Sequence, residues 1–359
     1  MPQPPRILLL QLKRIGDTIL TAPAVAALRA RHPGAEIVMV VPESVAELVA
    51  CFTGVSRVLA YRALSLNVGL WASIALGEWD ACYDFTGTDR SALMTALSRA
   101  KQRHGYAKFA HGLRAKAYTH LCDASVRDLH TVEFHLALVG GSGELRAKSE
   151  EDGKQGAWST EQGAPIRLPR PDDELEQRQQ GLPRIVVHIG TAREEKFWPV
   201  ERWVEVITHL AENIGPRHTA VRADGQSFQT CAAIFLTGTN AGLERPHLDR
   251  LRAALKVEVM DLTGQLSLVS LASLIDQCDL AIGVDSMAMH LAAMFGRPQV
   301  VLFGPTNPFH WRPRHARAVV LAAGHEGPVT DFHPKAKGAP MELISTRMVV
   351  DAIHRALSA

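Results

Sequence analysis

Three short stretches of this 359-residue chain carry side chains whose types and spacing can do chemistry. Lys13, Arg14, Ile15, Gly16, Asp17 and Thr18 form a turn between an apolar run and a helical pattern. Gly16 lets the backbone bend sharply, and Asp17 supplies a carboxylate at the start of the helix, either as an N-cap or as a proton acceptor facing a ligand. With only one glycine, the stretch lacks the G-x-G-x-x-G fingerprint of dinucleotide binding. Gly190, Thr191, Ala192, Arg193, Glu194, Glu195 and Lys196 again follow an apolar run and precede a helix. Such a loop offers N–H groups, a hydroxyl and a cation to a phosphate, unless Arg193 and Lys196 are solvated charges balanced by the two glutamates. Gly283, Val284, Asp285, Ser286, Met287, Ala288, Met289 and His290 form a third strand-to-helix turn, with an acid and a hydroxyl beside the first free N–H groups of the helix. His290 lies five residues beyond Asp285 and reads either as a core histidine or as part of the same site.

A fourth feature is charge. No Asp or Glu occurs from Ser91 to Cys122, whereas Arg99, Lys101, Arg103, Lys108, Arg114 and Lys116 do, with Tyr106, Phe109 and Tyr118 among them. A solvated face, a nucleic-acid patch and a seat for a multivalent anion all fit such a run, and the last is favoured here. The formal net charge of +2 argues against nucleic acid as a partner of the whole molecule. No G-x-x-x-x-G-K-[ST], G-x-S-x-G or H-E-x-x-H motif occurs, and no His, Cys and carboxylate cluster has metal-ligand spacing. A mechanism without metal or cofactor is expected. The five cysteines are scattered and read as reduced core thiols. The short N-terminus lacks a signal-peptide pattern, and no apolar run is long enough to span a membrane, which leads us to expect a cytoplasmic protein.

Two α/β domains must position these residues. Apolar runs at Arg6–Leu12, Glu36–Val41, Arg57–Tyr61 and Ala81–Phe85 alternate with helical patterns at Thr18–Arg31, Ser44–Ala50 and Asp89–Arg99. This alternation predicts a doubly wound parallel sheet over residues 1–140. A polar stretch at 141–183 predicts an interdomain linker. A second alternation over 184–340 begins with the run Arg184–Ile189 and the helix Val200–Asn213; further strands are expected at Cys231–Leu236, Val257–Asp261, Leu280–Val284 and Gln299–Phe303. Residues 216–230 are polar and carry no assignment. A last helix falls within 341–359, with packing back across the domain junction as one option. In such sheets ligands bind at the carboxyl ends of the strands, where all three turns fall.

The order and spacing of these motifs resemble glycosyltransferase family 9, the lipopolysaccharide heptosyltransferases. The resemblance rests on ILLLQLKRIGDTILTAP at 7–23, HIGTAREEKFWPVERW at 188–203 and DLAIGVDSMAMHLAAMFGRPQVVLFGPTNP at 279–308. It implies the GT-B fold, two Rossmann-like domains facing across a cleft, with the acceptor on the N-terminal domain and the nucleotide-sugar on the C-terminal one. It further implies that Asp17 is the catalytic base, that Lys196 serves the donor phosphates, and that Asp285, Ser286 and His290 form the donor turn with Gly190 and Thr191 nearby. Glu244 matches the acid that holds the nucleotide ribose, although the preceding loop is longer than in the family. Met287 stands where the family commonly has glycine, which leaves the donor's identity open. Lys13, Arg14, Gly16, Arg103, Lys108, Arg114 and Lys116 are then acceptor-side candidates. The implied reaction is inverting transfer of a sugar, heptose from ADP-heptose, to a lipid A-linked core saccharide at the cytoplasmic face of the inner membrane, with peripheral contact between the basic stretch and that acidic membrane surface as an option. A different nucleotide-sugar and a non-catalytic glycan-binding module are the alternatives.

Overall fold

A computed structural model describes residues 4–140, 165–169, 181–221 and 225–358. These group into two compact units: 4–140 with 165–167, and 168–169 with 181–221 and 225–358.

Unit 1 is built on β1 (Arg6–Leu10), β2 (Glu36–Pro42), β3 (Arg57–Tyr61), β4 (Ala81–Asp84), β5 (Gln102–Tyr106) and β6 (His120–Cys122). The strands are all parallel and ordered β3-β2-β1-β4-β5-β6. Its helices are α1 (Ile15–Ile19), α2 (Ala22–Arg31), α3 (Glu43–Val49), α4 (Val68–Ala75), α5 (Asp89–Leu97) and α6 (Thr131–Leu138). Leu8 pairs with Val38 on one side and Cys82 on the other, and Leu8, Leu9 and Leu10 are fully buried. A central parallel strand is covered on both faces, which is why β1 reads as a continuous apolar run.

The single helix expected at Thr18–Arg31 is two, α1 and α2, broken at Leu20 and Thr21. Pro23 has no N–H to extend the first ladder, but in the opening turn of α2 none is required. The Thr21 hydroxyl donates to Thr18 O at 2.6 Å across the break.

Unit 2 repeats the plan with β7 (Arg184–His188), β8 (His218–Val221), β9 (Ser227–Thr230), β10 (Ala233–Thr237), β11 (Met260–Asp261), β12 (Leu280–Val284), β13 (Gln299–Phe303) and β14 (Ala318–Ala322). Its helices are α7 (Val200–Asn213), α8 (Glu244–Ala254), α9 (Leu268–Asp276), α10 (Met287–Met294), α11 (Pro308–Trp311) and α12 (Thr346–Ser358). The parallel sheet runs β11-β10-β7-β12-β13-β14, so counted in chain order both sheets have the order 3-2-1-4-5-6. β8 and β9 pair antiparallel outside the main sheet, where the sequence had given no assignment.

Within the expected linker, residues 141–164 and 170–180 lie outside the described residues. Residues 165–167 join unit 1: Ile166 bridges Phe52, Thr53 N donates to Pro165 O at 2.8 Å, and Arg167 N donates to Cys51 O at 2.8 Å. The C-terminal helix α12 packs on α7, β13 and β14 of its own unit. Trp198 Nε1 donates to Ile344 O at 3.0 Å just ahead of it.

Candidate active site

In unit 1 the candidate residues gather where β1 ends. The Gln11 N–H donates to Val40 O at 3.0 Å, and Leu12 N donates to Thr86 Oγ1 at 2.8 Å, so β2 and the segment just after β4 fix the path of the loop. Asp17 lies in the first turn of α1 and is half-buried. Burial pushes its carboxyl above the ordinary range, against the pull of the Lys13 and Arg14 cations. Lys13 is half-buried too; burial lowers its ammonium, Asp17 and Asp84 oppose that, and Lys108 adds to it. The Nζ atoms of Lys13 and Lys108 lie 5.5 and 5.8 Å from the centre of the same Phe109 ring. The result is a cation-rimmed loop around a carboxylate that takes up a proton more readily than a solvated one.

In unit 2 the second and third turns meet. Lys196 Nζ donates to Asp285 Oδ2 at 2.6 Å and to Asp285 O at 3.3 Å, with side-chain exposures of only 14% and 7%. Arg193 pairs with Glu195 at the surface, so the solvated-charge reading applies to Arg193 and not to Lys196. His290, buried in α10, is lowered by burial, while Asp285 raises it and Lys196 lowers it further. Ser286 occupies the N-cap position of α10 without capping it, and its buried Oγ has no hydrogen-bond partner among the described residues. Met287 is the first residue of that helix and is half-buried.

Glu244 closes the other side. Its Oε2 accepts from Thr239 N at 2.6 Å and from Thr239 Oγ1 at 2.9 Å. The carboxylate lies over Gly190, where an added Cβ would stand 2.8 Å from both oxygens. A side chain at 190 would therefore displace the Glu244 carboxylate, so the constraint here is contact and not backbone angle. Thr191 is buried, and its Oγ1 accepts from Arg193 N at 3.4 Å. The arrangement offers a lysine, the unpartnered Ser286 hydroxyl, the Thr191 hydroxyl and a buried carboxylate along one sheet edge, a set suited to a diphosphate and a ribose diol.

The description "Glycosyltransferase family 9 (heptosyltransferase)" matches residues 68–215 and 218–340. The chain belongs to glycosyltransferase family 9. It is 28% identical to lipopolysaccharide heptosyltransferase 1 of Pseudomonas aeruginosa over 321 residues, which cover 84% of this chain and 79% of that one. Among solved structures, a family 9 glycosyl transferase from Veillonella parvula superposes with a TM-score of 0.76 at 20% identity, over 99% of both chains. The E. coli ADP-heptose lps heptosyltransferase II does so with a TM-score of 0.72 at 20% identity, over 98% of both. These likenesses establish the two-domain GT-B fold.

For a family 9 glycosyltransferase the basic stretch is partly structural. Arg103 donates to Ala117 O at 2.7 Å and to Ala100 O at 2.9 Å, and Arg114 pairs with Asp89 while reaching Gly87 O. Lys108 and Lys116 are exposed.

Two residues beside the Lys13–Asp17 loop were missed from sequence. Buried Asp84, at the end of β4, accepts from Thr86 N at 2.8 Å, Gly87 N at 3.0 Å and Tyr118 Oη at 2.7 Å. His135 meets the Tyr106 hydroxyl through Nδ1 at 3.0 Å, and its buried Nε2 has no partner among the described residues. Burial first, then Lys13, lowers its pKa to about 3. Thr306, in the loop after β13 and within the stretch 279–308 read from sequence, has a buried hydroxyl likewise without a partner among the described residues. An acid closing the apolar run Ala81–Asp84 was the available signal for Asp84; a lone His gave none.

Proposed function

We propose that this family 9 glycosyltransferase moves a heptose from ADP-heptose onto a hydroxyl of a lipopolysaccharide inner-core saccharide, with inversion at the anomeric carbon. The names of its relatives support the donor and the acceptor. The observation that carries the chemistry is the buried Lys196–Asp285 pair beside the unpartnered Ser286 hydroxyl. Such a lysine needs little motion to shift from a carboxylate to a diphosphate oxygen, and the charge gathering on the leaving ADP is then met by Lys196, Thr191, Ser286 and the first N–H groups of α10. On this reading no metal is needed, and Glu244 accepts from the ribose hydroxyls.

The acceptor hydroxyl attacks the anomeric carbon, its proton passes to Asp17, and the bond from that carbon to the diphosphate oxygen breaks. A base of raised pKa holds the proton better once transferred. Lys13 and Arg14 keep Asp17 ionised beforehand and attract the anionic core saccharide. We place the reaction at the cytoplasmic face of the inner membrane, where a lipid-linked acceptor and a soluble nucleotide-sugar meet.

The test is ADP release and product formation with purified protein. Lys196→Ala is expected to lower kcat about a hundredfold while leaving the fold intact. Parental rates for both Lys196→Ala and Asp17→Asn would sink the assignment, and tight donor binding without ADP release would make the chain a binding module. Met287 favours a second donor reading, because its side chain occupies the first helical position beside the phosphate turn. A thermal-shift panel of ADP-, UDP-, GDP- and CMP-sugars separates the two.

A further inference from the structure

Large apolar side chains stand in solvent on two segments of unit 1. Leu64 is 104% exposed, Leu66 84% and Val68 69%, all between residues 64 and 68 in the segment that follows β3; Leu113, after β5, is 82% exposed. Isolated surface leucines are ordinary, but three apolar side chains in one turn are not. Asn67 holds this turn in shape from a left-handed conformation, φ 51°. Its Oδ1 accepts from Arg62 N at 2.9 Å, and its Nδ2 donates to Arg62 O and Ser65 O, both at 2.7 Å. The leucines are thus presented by a hydrogen-bonded loop.

All six strands of this sheet are parallel, so the segments after β3 and β5 leave the same carboxyl edge as the Lys13–Asp17 loop after β1. β3 is one outer strand of the sheet and β5 is next to the other, which places the two apolar segments on either side of that loop. Around Leu113 the charge is mainly positive. Residues 107–117 hold Lys108, Arg114 and Lys116 with no acid; the Asp89 carboxylate pairs with Arg114, which leaves Lys108 and Lys116 as the exposed cations of the segment. At the other segment Arg62 and Glu43 form an ion pair at 2.7 Å, which leaves an apolar and nearly neutral tip. Among the described residues no helix is long and apolar enough to cross a membrane.

We propose that this edge docks on an anionic bilayer surface: Leu64, Leu66 and Leu113 enter the headgroup region while Lys108 and Lys116 face lipid phosphates. Apolar tips alone would suit any greasy partner, and cations alone any anion; only an anionic membrane interface asks for both. The surface would bring the Asp17 loop to a saccharide that rises from the same bilayer, and in that respect it rests on the acceptor proposed above.

The test uses full-length protein and vesicles of phosphatidylcholine with or without phosphatidylglycerol. Flotation is expected with the anionic vesicles and little with the neutral ones, weakening as salt rises from about 0.05 to 0.5 M. The triple variant Leu64→Ser, Leu66→Ser, Leu113→Ser should lower partitioning by about tenfold or more. Its transfer rate to a de-acylated, water-soluble core saccharide should stay at the parental value. Leu64→Trp provides an independent reading, a blue-shifted emission on anionic vesicles. Equal partitioning of parent and triple variant, or a change of oligomeric state in the variant without a change in flotation, overturns the proposal. Leucine-dependent flotation in a protein that transfers nothing to either acceptor would uphold the docking surface and sink the proposed reaction.

Discussion

At the residue scale, Asp17 links chemistry to stability. Burial raises its pKa above the ordinary 3.8, so the acid limb of kcat/KM should lie above the range of a solvated carboxylate. The folded state favours the protonated form, and the stability this gives is full below the unfolded pKa and lost as pH rises through the folded one. At neutral pH the ionised carboxylate is therefore a burden on the fold. Asp17→Asn should lose at least about a hundredfold in transfer rate yet unfold at a higher temperature than the parent at pH 7. A lower Tm for the variant would mean that Lys13 and Arg14 outweigh burial.

Gly190 gives a second residue-scale prediction. Since a methyl group there would press on both oxygens of Glu244, Gly190→Ala should raise KM for the nucleotide-sugar as Glu244→Ala does, and the double variant should be little worse than either single one. Additive losses would show that the two act separately. The sequence placed Lys196 and Asp285 each at a strand-to-helix turn, yet not as partners, because they are 89 residues apart and only the adjacency of β7 and β12 brings them together.

At the element scale, the apolar strands β1, β7, β10, β12 and β13 were legible because a parallel strand covered on both faces needs nothing but apolar residues. Less legible were β5, with only Tyr106 as a large apolar residue, and the His218–Val221 and Ser227–Thr230 pair, whose polar residues show no period. The break between α1 and α2 was written in Pro23, which the apolar period ran straight through. The Thr346–Ser358 helix was legible as a helix but not as to its neighbours. It buries Val349, Ala352, Ile353 and Ala356 in the core of unit 2, against the helix that follows the Lys196 loop. Ile353→Ala should cost about 2–5 kcal/mol, measured by urea unfolding, from lost burial and the cavity left behind. A change below 0.5 kcal/mol would mean that α12 closes over the gap.

At the scale of the whole molecule, one strand order is used twice, but the two units bury different titratable groups. Unit 2 holds His188, His247 and His315, each lowered by burial to about 4, and His290, lowered by the same cause. A histidine with a depressed folded pKa contributes stability above its unfolded value of 6.5, and that stability drains away as pH falls toward the folded value. Unit 1 has two such histidines, His104 at about 4 and His135 at about 3, both chiefly through burial. It also buries Asp17 and Asp84, whose raised pKa values favour the fold in acid and offset part of the loss. On acidification from pH 7 to about 4.5, unit 2 should therefore loosen first. Hydrogen exchange followed by mass spectrometry should show peptides from β7 and β12 losing protection before those from β1 and β4. The reverse order, or simultaneous loss, would mean that the buried carboxylates of unit 1 do not supply this offset.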